Sequence, residues 1–206
     1  MRLKDFHKIV FFIGPSGSGK DTFFYQTLKN YKIKPIILLT TRPKRDGEME
    51  GREYYFINQE RMDLLEKRNQ LIERRNYNTQ YGLWSYATGK QQILLESHSY
   101  LTPNTWEGYE KFLKCYSKEV LVPIYFELDD GIRLTRCLER EKQPENRNYA
   151  EMCRRFLADS IDFTKEKIEI HKPFIVENNG SKEATLEQID NILVRKLGIE
   201  PQKKQK

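Results

Sequence analysis

The chain predicts an α/β fold built on a parallel sheet, and three observations carry that expectation. A near-continuous apolar run, Ile9-Val10-Phe11-Phe12-Ile13, has the texture of a strand buried on both faces. It is followed by Gly14-Pro15-Ser16-Gly17-Ser18-Gly19-Lys20-Asp21-Thr22, which fits a G-x-x-x-x-G-K frame between a strand and a helix. A second apolar run, Pro35-Ile36-Ile37-Leu38-Leu39, comes next, so strand, loop, helix and strand follow in the order of a βαβ unit.

The glycine frame has a specific chemistry. Gly14, Gly17 and Gly19 let the backbone curl so that successive N–H groups point into one concavity, at the positive end of the following helix. Lys20 adds a charge that reaches the terminal phosphates of a nucleotide. The loop residues Gly14, Ser16, Gly17, Ser18, Gly19, Lys20, Asp21 and Thr22 are therefore candidates for holding a nucleoside triphosphate. The hydroxyl residue that ordinarily follows the lysine and coordinates Mg²⁺ is Asp21 here, with Thr22 one step later.

Bulk composition narrows the class. At 206 residues, the chain is long enough for one sizeable domain with a real core. No run approaches the roughly 18 apolar residues of a membrane span, and residues 1–5 lead straight into the first strand without a secretory apolar segment. Cys115, Cys137 and Cys153 show no C-x-x-C spacing and read as reduced thiols of a cytoplasmic protein. The formal net charge is +6, yet the basic tail Lys203-Lys204-Gln205-Lys206 is the densest cationic run and reads as a frayed terminus. Neither nucleic acid nor membrane is an expected partner.

Taken in order, a helix is expected over residues 22–32 and a second buried strand over 34–40. The Gly- and Pro-punctuated segment 41–51 is a loop. A short strand over 53–57 precedes a helix over 59–67, capped by Asn58, with Met62 and Leu65 inward. Strands are expected over 70–77 and 81–88, and a helical stretch over 89–97. The core resumes with a strand over 100–103, a helix over 105–116 and a buried strand over 119–128. Asp129 or Asp130 caps a helix over 132–142. One long helix over 149–170, a strand over 173–176 and a helix over 182–197 complete the chain. Leu186, Ile189, Ile192 and Leu193 form the apolar stripe of that last helix.

The segment Thr40-Thr41-Arg42-Pro43-Lys44-Arg45-Asp46-Gly47-Glu48-Met49-Glu50-Gly51-Arg52-Glu53-Tyr54-Tyr55-Phe56 resembles the T-T-R-x-x-R-x-G-E-x-x-G-x-x-Y-x-F signature of guanylate kinases. Ile72-Glu73, Tyr81-Gly82 and Trp106-Glu107-Gly108 extend the resemblance, which spans roughly residues 8–195. It implies a P-loop NTPase-type three-layer core (about 1–40, 99–136 and 156–199). A small inserted subdomain for the nucleoside monophosphate (NMP, about 41–98), a short lid (about 137–155) and a frayed tail (200–206) complete it. It also implies ATP-dependent phosphoryl transfer to a monophosphate, most simply GMP, by a cytoplasmic monomer or homodimer using Mg²⁺.

By that resemblance Arg42, Arg45, Tyr54 and Tyr81 clamp the acceptor phosphate, and Glu73 reads the guanine. Arg136, Arg140 and Arg155 would cover the phosphoryl group in flight, with Lys20 and Arg42, and Asn178 would lie near the adenine. Guanidinium groups suit these tasks because they bind phosphate oxygens bidentately. Glu139, Glu141 and Glu151 are close enough in sequence to turn the same arginines into a salt-bridged surface instead.

The departures from the family pattern are as definite as the matches. Two acids expected before Trp106 are Pro103 and Thr105, a hydroxyl expected after Gly82 is Leu83, and a serine is replaced around Leu38. Asp21, with Thr22, is the candidate metal carboxylate in compensation. The lost acids keep open a second reading, a catalytically inactive module of the same shape that binds peptides, and the thin base-reading set a third, a kinase of another small phosphorylated acceptor. His7, His98 and His171 are expected on the surface, and Trp84 and Trp106 are expected to be packing residues.

Overall fold

The computed structural model describes residues 7–79, 82–143 and 148–202. Five parallel strands form the main sheet: β1 (Ile9–Ile13), β2 (Lys34–Pro35), β7 (Tyr100–Asn104), β8 (Leu121–Glu127) and β9 (Phe174–Glu177), in the order β2-β7-β1-β8-β9. β1 is central, and all five of its residues are fully buried. Its alternate side chains supply two cores. Val10 and Phe12 pack with Phe23 of α1 (Lys20–Asn30) and Ile189 of α7 (Lys182–Asp190). Ile9, Phe11 and Ile13 pack with Trp106, Tyr109 and Phe112 of α3 (Trp106–Leu113). Burying each such side chain contributes on the order of 1.5–3 kcal/mol, and helices on both faces are what a parallel sheet needs.

A second, four-stranded sheet holds β3 (Leu39–Thr40), β4 (Tyr55–Phe56), β5 (Leu71–Thr79) and β6 (Gly82–Gly89), in the order β4-β3-β6-β5. One of its faces packs on α2 (Gln59–Lys67), through Leu39, Met62, Leu65, Leu71 and Ala87. Asn58 caps α2, as the sequence predicts, by accepting the Arg61 N–H at 2.9 Å.

Four expectations change. The strand predicted over 34–40 is two strands in two sheets. Ile36 makes the last main-chain bond to β7, the Gln92 amide then takes the Ile37 carbonyl at 2.6 Å, and the chain crosses to β6. Residues 89–97 form a 3₁₀ turn, Lys90–Gln92, held by the Gln92 side chain accepting the Gly89 N–H, and a second turn closed by the Ser97 N–H on the Leu94 carbonyl, in place of a helix. The helix over 149–170 is broken into α5 (Tyr149–Asp162) and α6 (Lys165–His171), where Phe163 turns inward against Tyr125 and Thr164 becomes extended. The tail is not frayed from residue 200: the Glu200 carbonyl accepts the Lys32 N–H, and the Gln202 N–H donates to the Asn30 carbonyl. The last four residues lie outside the described range.

Asp129 caps α4 (Asp130–Glu141), and the final helix continues past α7 in π-helical form over Asn191–Lys196. Among the described residues, no helix is long and apolar enough to cross a membrane. Cys115, Cys137 and Cys153 are all free thiols.

Candidate active site

The glycine-rich loop joins β1 to α1 at the C-terminal edge of the main sheet. Gly17 and Gly19 adopt φ of 84° and 83°, in the left-handed region that side chains disfavour. A Cβ on Gly19 would lie 2.6 Å from the Asn178 amide nitrogen, so the position excludes a side chain on two counts. Gly19 is also the residue before α1 and has no side chain to cap it, which leaves the first-turn amides for a ligand. Lys20 is the first residue of that helix and is half-buried.

Three side chains hold the loop in shape. Asn178 is buried, donates to the Ser18 carbonyl at 2.8 Å and accepts the Thr185 hydroxyl at 3.1 Å, so it braces the loop from beneath. Asp159 of α5 accepts the Ser16 N–H at 2.7 Å. Arg133 of α4, 2% exposed, lies 3.5 Å from the same Asp159 oxygen and bonds Asp130, with its guanidinium 3.7 Å from the Phe156 ring centroid. Neither Asp159 nor Arg133 stands out in the sequence; both act through contacts more than twenty residues away.

A cleft of about 460 Å³ opens on the face of the second sheet opposite α2, lined by Leu38, Tyr54, Arg75, Tyr77, Trp84 and Tyr86. The antiparallel register explains the lining. Glu73, Arg75 and Tyr77 pair with Thr88, Tyr86 and Trp84, and alternation sends all six to one face. Trp84, expected to be a packing residue, is thus a half-exposed wall of the cleft. Trp106 is buried as expected, stacked between Tyr125 and His171. His171 departs from expectation: it is buried, with Nε2 3.0 Å from Glu110.

Behind the cleft-lining Tyr54, Arg42 is 4% exposed and pairs through Nη2 with Glu48 Oε1 at 2.6 Å. Its guanidinium lies 5.3 Å from the Tyr54 ring centroid and 5.8 Å from that of Phe56. The hydrogen bond to Glu48 raises the pKa of Arg42, and the same bond lowers that of Glu48. The other Glu48 oxygen accepts the Arg45 N–H at 2.7 Å, so one carboxylate shapes the whole 42–48 loop while the Arg45 side chain stays exposed. Burial raises the Tyr54 pKa and keeps its phenol a neutral donor. Glu73 is buried on the cleft-facing side, where its Oε1 accepts the Thr88 hydroxyl at 3.2 Å and lies 3.4 Å from Arg75 Nη2. Tyr81 lies outside the described residues.

The three arginines of α4 and α5 divide. Arg136 reaches the loop: its Nη2 donates to the Asn178 carbonyl at 3.1 Å, and its Nη1 lies 3.8 Å from where a Gly19 Cβ would be. Arg140 and Arg155 converge on buried Glu141, at 3.5 and 3.8 Å, and Arg155 also lies 3.5 Å from Glu151. In this conformation the salt-bridged arrangement holds for those two. Between the two helices, residues 144–147 of the expected lid lie outside the described range.

Asp21 and Thr22 are exposed on the first turn of α1. The end of β7 beside the loop offers no carboxylate. Pro103 and Asn104 stand there, and the Asn104 oxygen accepts the Thr105 N–H while its side chain fills the space over Gly108. Among the described residues no three acidic, histidine or cysteine side chains cluster as a metal site.

A family model described as guanylate kinase matches residues 6–96. A guanylate kinase of Prochlorococcus marinus (strain MIT 9312) is 31% identical over 153 residues, which cover 70% of this chain and 80% of that one. The chain belongs to the guanylate kinase family. A second relative, the guanylate kinase of Blochmanniella floridana, is 34% identical over 129 residues, spanning 58% of this chain and 60% of the relative, less than two thirds of its length. The crystal structure of guanylate kinase from Anaplasma phagocytophilum superposes with a TM-score of 0.58 at 21% identity, over 93% of this chain and 87% of that one. This last likeness concerns the fold.

Proposed function

We propose that the protein transfers the γ-phosphoryl group of ATP to a nucleoside monophosphate, most simply GMP, yielding ADP and GDP. The single observation that carries this reading is the pairing of a glycine loop ending in Lys20 with an aromatic-walled cleft whose Tyr54 carries the Arg42 guanidinium over its ring. A peptide-binding module needs neither.

In this reading the amides at the start of α1 and Lys20 hold the donor phosphates, helped by Gly14, Ser16, Gly17, Ser18 and Gly19. Arg42, Arg45, Tyr54 and Tyr81 hold the acceptor phosphate, and the base lies in the cleft above Glu73. The acceptor phosphate is already an anionic nucleophile, so positioning and charge stabilisation suffice and no general base is required. Arg136 stands at the loop already. Arg140 and Arg155 join it when the 137–155 segment closes, exchanging Glu141 for phosphate oxygens and excluding water. The division into core, acceptor-binding part (about 41–98) and lid follows from these roles.

Asp21 and Thr22 fit Mg²⁺ as hard oxygen donors, since this ion takes one or two carboxylates and completes its shell with phosphates and water. Bound there, it would neutralise charge on the transferring phosphates.

The test is an assay of ADP formation with purified protein, ATP, Mg²⁺ and a panel of nucleoside monophosphates, against Lys20→Ala. GDP formation that disappears in the variant supports the reading. If no monophosphate is phosphorylated while the protein retains its fold, the peptide-binding alternative takes its place.

A further inference from the structure

Arg75, in the wall of the cleft, pairs with buried Glu73 on the same face of β5, and the family signature places no arginine there. Glu73 and Arg75 sit two residues apart on β5, on the same face, opposite Thr88 and Tyr86. The Glu73 side chain is 2% exposed, and its Oε1 takes both the Thr88 hydroxyl and Arg75 Nη2. Among the described residues no donor is seated on Oε2. Arg75 lines the cleft, and its Nε is buried without a hydrogen-bond partner. The side chain as a whole is 39% exposed, so its other guanidinium donors are open to the cleft, where a ligand acceptor gains a charge-assisted hydrogen bond. The positions where hydroxyl residues were expected to help read the base are Leu38 and Leu83, which have no polar side-chain atom.

One acceptor oxygen beside one donor is the complement of a lactam edge, a ring N–H next to a C=O. Guanine and hypoxanthine present that edge. Adenine presents the reverse, a ring nitrogen acceptor next to an amino donor. With Oε1 already taken twice, Glu73 has one oxygen for the ring N–H and none left over for a 2-amino group. We infer that Arg75 is a specificity-determining residue, donating to the carbonyl oxygen of a 6-oxopurine whose neighbouring N–H is accepted by Glu73. The 2-amino group of guanine is then secondary. The inference rests on the proposed function for its acceptor site and adds what that site reads.

Equilibrium binding and turnover of GMP, IMP and AMP are measured for the wild type, Arg75→Leu and Arg75→Lys, with ATP affinity and thermal unfolding as checks on the fold. In the wild type, GMP and IMP agree within about tenfold and AMP is at least about 100-fold poorer. Arg75→Leu weakens GMP and IMP together by about 10- to 100-fold, the scale of a charge-assisted hydrogen bond, and leaves AMP and ATP unchanged; Arg75→Lys falls between. The inference is overturned if IMP binds more than tenfold weaker than GMP. It is equally overturned if Arg75→Leu leaves GMP affinity intact or lowers AMP by the same factor. The wild-type comparison stands even if the leucine variant fails to fold. GMP binding without turnover sinks the proposed function and leaves this inference to be decided by the affinities; no binding of any monophosphate sinks both.

Discussion

Asp159 accepts the Ser16 amide at 2.7 Å across 143 residues of sequence. The contact ties the glycine loop to the part of α5 beyond the expected lid (137–155), and the same carboxylate oxygen lies 3.5 Å from buried Arg133 on α4. Loop, α4 and α5 thus share one anchor. The loop's glycines need such an anchor, because they lose more backbone freedom on ordering than other residues do.

Asp159→Ala removes that acceptor and leaves a buried guanidinium with one partner fewer. A charge-assisted hydrogen bond contributes about 1.5–3 kcal/mol, and in a chain of this size each kcal/mol shifts the melting temperature by about 2–4 °C. The expected outcome is a drop of several degrees in thermal unfolding with weaker ATP binding. Asp159→Asn, which keeps an acceptor oxygen, should lose less. Equal behaviour of the two variants and the wild type would remove the anchor from the account.

Gly19→Ala tests the loop's shape. The residue sits at φ 83°, and a methyl there meets the Asn178 amide nitrogen at 2.6 Å. The left-handed conformation costs about 1–2 kcal/mol for a residue with a side chain, and relieving the clash moves Asn178 off the Ser18 carbonyl. ATP affinity measured by titration calorimetry should fall at least about tenfold, a 1.4 kcal/mol effect, with GMP affinity unchanged.

The Arg42–Glu48 pair predicts an acid-side pH dependence. Its hydrogen bond to Arg42 holds the Glu48 pKa below the ordinary carboxylate range. A carboxyl depressed in the native state adds stability in full above the pH where a free glutamate titrates, about 4.3. That contribution is lost as pH falls below this value through the native pKa. Glu48→Gln should therefore flatten the stability profile below about pH 4.3, measured by urea unfolding across pH 3 to 7. Above that range it should weaken GMP binding, because Arg42 and the Arg45 amide lose their shared partner.

Asp21→Ala removes the carboxylate and leaves no side-chain oxygen directly after Lys20. If Asp21 helps hold Mg²⁺, a Mg²⁺ titration of activity should shift to higher concentration, by about 3- to 10-fold, about 0.7–1.4 kcal/mol. ATP affinity without the metal should not fall. An unchanged titration curve would assign the ion to Thr22 and the phosphates alone.

Much of this molecule was legible along the chain, because it depends on neighbours within a few residues. The apolar run of β1, the glycine-lysine frame, the Asn58 cap and the alternation of β5 and β6 are local patterns, and each is realised where the sequence places it. The family signature over residues 40–56 is equally local, and Glu48 within it closes the 42–48 loop on Arg42 and the Arg45 amide. The tertiary structure alone decided what crosses long separations: the division of residues 34–40 between two sheets, the burial of His171 on Trp106, and the anchoring of Ser16 by Asp159. It also decided which face of β5 and β6 is the cleft. Alternation says that Glu73, Arg75 and Trp84 share a side, but only the packing of α2 against the opposite face leaves that side open. Side-chain periodicity is a property of the backbone, whereas exposure of one face or the other depends on what the rest of the chain brings to cover it.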